Sequence, residues 1–271
     1  CVNVLYSFGL LHRKLALDTL MSIQEDQFNE RWTEVTKLLS TASGILGYVA
    51  ENVASRFFVF PKDMPMPEVF AETFSLLSRL SLAEAQEMVT KRAVLKENNP
   101  QMAAQLAIAA SQEYELCYGM ADKIQIPERK DSWLIRLPVR TWLNWKSIVW
   151  KSLALKFQAQ YHLWKQEPGL ALAYLELALA SINSLKADTK AMDAQTDALW
   201  DVFEKTRDEI KELHRTTTKD NDNIFHEIIR RELVTPIQAK LLAKPTPFEA
   251  PQAAEVSIQT KDSAGTICAI M

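Results

Sequence analysis

From Val2 to about residue 231, the apolar residues of this chain recur at a spacing near 3.6, and almost never at a spacing of two. A strand buries every second side chain and a helix every third or fourth, so this rhythm leaves little room for a sheet. Only 6 glycines are spread through 271 residues, which argues further against glycine-dependent architectures such as phosphate loops and sandwiches. The expected fold is all-α, with antiparallel neighbours joined by short loops.

The first stretch places Val4, Leu5, Phe8, Leu11 and Leu15 on one helical face. Ser22-Ile23-Gln24-Glu25 has the form of a capping box, and predicts the start of a second helix. That helix carries the stripe Phe28, Trp32, Val35, Leu39, Ala42, Leu46, Val49 and Val53, before Pro61, Pro65 and Pro67 break the chain. Phe70, Phe74, Leu77, Leu80, Ala85 and Met88 mark a third helix that fades at Asn98-Asn99. Pro100 suits the first turn of the next, where a missing N–H costs nothing. That helix runs through Leu106, Ala110, Glu113 and Cys117.

Residues 125–130 read as a linker. A tryptophan-rich helix starts near Val139, Pro168-Gly169 turns the chain into another, and a further one runs from about Ala191 to Leu213. The small and aromatic residues around Pro168 have a tetratricopeptide flavour, but no repeat of full period follows. Beyond Leu233, Pro236, Pro245, Pro247 and Pro251 predict an extended strap. Residues 1–250 are expected to form the helical domain and 251–271 a flexible tail.

Composition narrows the function. A net charge of −3 gives no basic stripe for a nucleic acid. No apolar run reaches the ~18 residues of a membrane span. The 3 cysteines lie far apart without metal-ligand spacing, which predicts a reducing compartment and neither disulfide nor metal site. The 4 histidines are scattered, and the expected ligand set contains no cofactor. Trp133, Trp142, Trp145 and Trp150 read as packing rather than a ligand cage. Nothing in the chain asks for an enzyme.

Two further features carry more specific expectations. Cys268-Ala269-Ile270-Met271 has the form of a CaaX box, whose terminal methionine favours farnesyl on Cys268. The chain opens on Cys1 in what already reads as helix interior, so it is expected to begin partway through its parent domain.

The run Leu80-Ser81-Leu82-Ala83-Glu84-Ala85-Gln86-Glu87 resembles the "A-x-A-Q-E" signature of the Bro-one domain in Alix-type ESCRT adaptors. Lys219-Asp220-Asn221-Asp222-Asn223-Ile224-Phe225-His226-Glu227 is similar to a late segment of that domain, with Phe225 where a tyrosine is usual. Pro245-Thr246-Pro247-Phe248-Glu249 resembles its closing strap. The likeness runs from about Val2 to Pro251 and is greatest to a short member that also ends in a CaaX box.

The resemblance implies an elongated, degenerate tetratricopeptide-like Bro-one domain lacking its N-terminal part, which would leave apolar faces of the first two helices uncovered. It implies a monomeric, non-enzymatic adaptor whose groove takes the C-terminal amphipathic helix of an ESCRT-III subunit. The groove residues would be Val89, Met102 and Leu106, with Val89 replacing a larger aromatic and making a shallower pocket. Periodicity alone instead reads Met102 and Leu106, four apart on one helix, as core. A farnesylated Cys268 would place the protein in the cytoplasm, peripherally anchored to endosomal or nuclear-envelope membranes. The alternatives are a tetratricopeptide-like scaffold for another peptide, or a helical enzyme with a cryptic site.

Overall fold

The computed structural model describes residues 2–22, 28–54, 71–96, 99–124, 139–185 and 194–250. Among these, seven α-helices follow one another: α1 (Val2–Met21), α2 (Phe28–Tyr48), α3 (Ala71–Leu95), α4 (Pro100–Lys123), α5 (Val139–Trp164), α6 (Pro168–Asn183) and α7 (Ala194–Asp220). Each packs chiefly on its neighbours in sequence, with the broadest contact between α4 and α5. α2 ends in a wide π-helical turn, Val49–Val53, and α7 in another, Asn221–Phe225. Residues 234–250 have neither helix nor strand and run as a strap across the bundle.

Most predicted stripes are buried. Trp32, Val35, Leu39, Ala42, Leu46 and Val49 of α2 lie inside, as do Phe74, Leu77, Leu80, Ala85 and Met88 of α3. Asn99 caps α4 by accepting a hydrogen bond from the Gln101 amide at 2.9 Å, and Pro100 takes the first turn. Trp145 and Trp150 sit in the two largest apolar clusters, and Trp142 packs against both. These tryptophans are packing residues, while Trp133, the residue 125–130 linker and the Pro61–Pro67 break lie outside the described residues.

One expectation is corrected. Val4, Phe8, Leu11 and Leu15 are exposed, and α1 instead buries Gly9 and Ala16 while half-burying Leu5 and Leu10. Gly9 decides the rotation: a Cβ there would stand 2.9 Å from the Leu46 side chain, so the bare glycine lets α1 lie directly on α2. Ser22 closes α1, while Ile23, Gln24 and Glu25 of the expected capping box lie outside the described residues. Its amide donates to the Asp18 and Thr19 carbonyls at 3.2 Å, and its hydroxyl to the Thr19 carbonyl at 2.9 Å.

α3 holds the bundle together because it is buried on nearly every side, from Thr73 to Ala93. The Glu87 carboxylate lies inside, with four side chains converging on it. Tyr114 of α4 donates at 2.6 Å and Trp150 of α5 at 3.3 Å. The Lys146 ammonium stands 3.0 Å away and that of Lys91, one turn on, 2.7 Å. Burial alone would push this carboxyl up; the charges of Lys146 and Lys91 and the surrounding hydrogen bonds overcome it and hold the group well below the usual carboxylate range. Tyr114, enclosed beside that charge, is pushed well above its ordinary value and stays a donor.

A depressed carboxyl stabilises the fold above the unfolded value, about 4.3 for glutamate, and that stability is lost as pH falls toward the folded one. Glu87→Gln strands Lys146 in a largely enclosed place. It should cost about 3 kcal/mol at neutral pH, measured by urea denaturation. The gap from the parent protein should narrow steadily below about pH 4.

Candidate functional site

Gln86, immediately before Glu87, is fully enclosed and faces the strap. Its amide nitrogen donates to the Leu106 carbonyl of α4 at 3.2 Å and to the Lys240 carbonyl at 3.1 Å. Its amide oxygen accepts the Leu242 and Ala243 amides at 3.0 and 3.1 Å. One side chain thus joins α3, α4 and the strap. Further along, the Tyr174 hydroxyl bonds both the carbonyl and the amide of Thr235, each at 3.1 Å. The Lys240 amide donates to the Gln105 carbonyl at 3.0 Å, and the Thr246 amide to the Ser40 carbonyl at 2.9 Å. The strap therefore crosses α6, α4 and α2 in turn. It ends with Phe248 edge-on to Tyr48, ring centres 5.3 Å apart.

This clamp determines what the surface offers. Ala243 is buried against the α2–α3 cluster, while Leu241 and Leu242 are exposed. Val89, one turn beyond Gln86, and Met102, one turn before Leu106, are half-buried. The Gln86–Leu106 bond joins α3 to α4 at this level, and the same side chain holds the Leu242 amide. Leu106 itself is only 2% exposed. Its carbonyl serves the clamp, and its side chain is buried, as periodicity alone predicts. Leu241 and Leu242 escaped the sequence reading because an extended strap has no period to betray which residues face out. Cys268 lies outside the described residues.

The late Asn221–Glu227 segment is an independent piece of architecture. The Asn221 side chain bonds both the amide and the carbonyl of Glu227, at 3.1 and 2.9 Å. The Glu227 carboxylate then accepts the Gly169 amide at 2.9 Å, at the N-terminus of α6, where negative charge is favoured. Phe225 is partly exposed beside a cleft of about 290 Å³. Among the described residues, no group of three potential metal ligands occurs and no helix is long and apolar enough to cross a membrane. Cys117 is buried, and desolvation, followed by the nearby Glu113 charge, pushes its thiol up to about 12, so it is inert as a nucleophile.

Comparison with known proteins places this helical bundle in a family. The family described as BRO1-like domain matches residues 1–265. The chain belongs to that family. It is 27% identical over 254 residues to the Caenorhabditis elegans apoptosis-linked gene 2-interacting protein X 1, covering 92% of this chain and 26% of that protein. The human tyrosine-protein phosphatase non-receptor type 23 is 25% identical over 253 residues, covering 90% of this chain and 14% of that protein. The chain thus spans about a quarter or less of these two relatives. The solved ALIX BRO1 CHMP4C complex superposes with a TM-score of 0.73 at 21% identity, covering 94% of this chain and 64% of that one. At that identity the likeness establishes a BRO1 fold.

The strap can be tested without touching the exposed leucines. Gln86→Leu keeps the bulk of the side chain but leaves the Leu242 and Ala243 amides without their acceptor. It should cost roughly 2–3 kcal/mol in urea denaturation. Gly44→Ala would drive a Cβ into the Thr246 carbonyl and should cost about 1–3 kcal/mol. In both variants, hydrogen exchange should accelerate most in residues 240–248.

Proposed function

We propose that this BRO1 domain is a non-enzymatic adaptor that binds the C-terminal amphipathic helix of an ESCRT-III subunit. The surface would be the one where exposed Leu241 and Leu242 lie beside Val89 and Met102. The observation that carries the proposal is the Gln86 clamp, which fixes an exposed apolar pair of the strap against two helical turns. A rigid apolar surface receives one face of an amphipathic helix with little ordering cost. The reading is supported by the likeness to the BRO1 domain of ALIX, whose solved structure is described as a complex with CHMP4C.

We further propose that the chain stands with the short Brox-type members and carries farnesyl on Cys268 after loss of Ala269, Ile270 and Met271. One lipid chain gives only marginal, reversible anchoring. The tail has Lys261 as its one basic residue and no second cysteine near Cys268, so the remaining affinity would come from the ESCRT-III polymer. Two weak contacts joined by a spacer gain effective concentration, and would hold the protein where filament meets endosomal or nuclear-envelope membrane.

Fluorescence polarisation with a peptide of the CHMP4C C-terminal helix tests the first part. Met102→Asp and Leu241→Asp should each weaken binding at least about tenfold, as central apolar anchors do. Binding unaffected by either would overturn this site and favour a scaffold for another peptide. Intact mass from eukaryotic cells, with a Cys268→Ser control, tests the second. The expected species lacks three residues and gains a farnesyl and a methyl group; an unmodified C-terminus removes the membrane arm.

A further inference from the structure

A second groove opens between α3, α5 and α7. It has a volume of about 580 Å³ and takes no residue from the strap or from α4, so it is separate from the surface proposed above. The groove exists because α5 and α7 are each held by α6 and share far less contact with one another. Val149, Trp150, Leu153 and Phe157 of α5 line its floor. Leu95 of α3 and Val202 of α7 stand at its walls, 58% and 50% exposed.

The polar lining is unbalanced. Four lysines, Lys91, Lys146, Lys156 and Lys205, meet two carboxylates, Glu87 and Glu209, leaving a local charge of 4 − 2 = +2 in a chain of net −3. Glu87 is shared by Lys91 and Lys146, and Glu209 pairs with Lys156 at 2.6 Å. Lys205 is exposed and, among the described residues, makes no ion pair. Lys91 is 40% exposed at the side chain, so its ammonium can also reach outward.

We propose that this groove is a second docking site, for an acidic amphipathic helix of a partner protein. An apolar floor walled by helices suits the apolar face of a further helix, and the surplus ammonium groups at the rim match glutamates and aspartates flanking that face. A bilayer surface meets only the rim and leaves the recessed floor uncovered. A nucleic acid would need a longer basic stripe without an apolar floor.

The test uses two synthetic helices with leucine at the a and d positions of three heptads, one with glutamate and one with lysine elsewhere. Fluorescence polarisation against the purified protein should show binding of the glutamate peptide alone, weakening as salt is raised. Val202→Glu and Lys205→Glu lie on exposed positions and should leave the circular-dichroism melt unchanged. Each should weaken the glutamate peptide at least about tenfold. Leu241→Asp, at the strap surface, should not. Equal binding of both peptides, or binding insensitive to Val202→Glu and Lys205→Glu, overturns the proposal. So does binding lost instead with Leu241→Asp. A dimer in light scattering that Val202→Glu dissolves would assign the groove to a second copy. Co-sedimentation with phosphatidylserine vesicles that Lys205→Glu abolishes would assign it to a membrane. Either result displaces the partner helix.

Discussion

The rest of this bundle depends on a buried carboxylate. Glu87 is placed where burial would force it neutral, and the convergence of two ammonium groups and a phenol keeps it charged, with an indole as a further donor. Those donors come from α3, α4 and α5, so the charge is satisfied only when the three helices are in register. An apolar core tolerates a slip of one helix against another at modest cost, because one buried aliphatic contact resembles the next. An ion that loses its partners in the interior does not. The carboxylate therefore acts as a registration point, and the surrounding leucines and alanines supply bulk stability without having to supply alignment.

Its neighbour does the same for the outer surface. Successive residues on a helix point about 100° apart, so Gln86 and Glu87 address two different faces of α3. Gln86 turns toward the strap and satisfies three backbone groups that an irregular segment could not pair by itself, while also reaching the Leu106 carbonyl of α4. This is how residues 234–250 lie ordered without helix or strand: their backbone polar groups are met by a side chain and by helix carbonyls instead of by a ladder. The surface assigned to partner recognition is thus a consequence of internal hydrogen bonding. Leu241 and Leu242 are available because the residues on either side of them are tied down.

How much of this was legible in the sequence depended on which interaction decided each feature. Helix existence was readable throughout, because burial of one face writes a 3.6 period and Pro100 marks the first turn of its own helix. The orientation of α1 was not. It carries aliphatic residues on more than one face, and the choice between them rests on the close approach of Gly9 to Leu46, a contact between elements that no local pattern records. Of the three groove residues, Val89 and Met102 are half-buried and Leu106 is buried, a difference that positional analogy does not record. The strap leucines were missed altogether. The stretches that carried the family resemblance fared best, and for physical cause: they contain Gln86 and Glu87, and Asn221 and Glu227.

That last point explains why a likeness of 21–27% identity can still describe one fold. Aliphatic core positions can exchange among residues of similar volume at modest cost, so one fold tolerates many sequences. A glutamine that must donate twice and accept twice, or a carboxylate that must meet four donors, has almost no substitute of equal shape and polarity. The same holds for Gly44, where any side chain would collide with the strap. A few such positions, spaced so that each ties a different pair of elements, constrain the arrangement of seven helices more tightly than the far larger number of apolar contacts around them. They also set the boundary between what can vary and what cannot. The exposed residues beside the clamp and along the α3–α5–α7 groove are free to change and so to alter which partner is bound, while the bundle that presents them keeps its form.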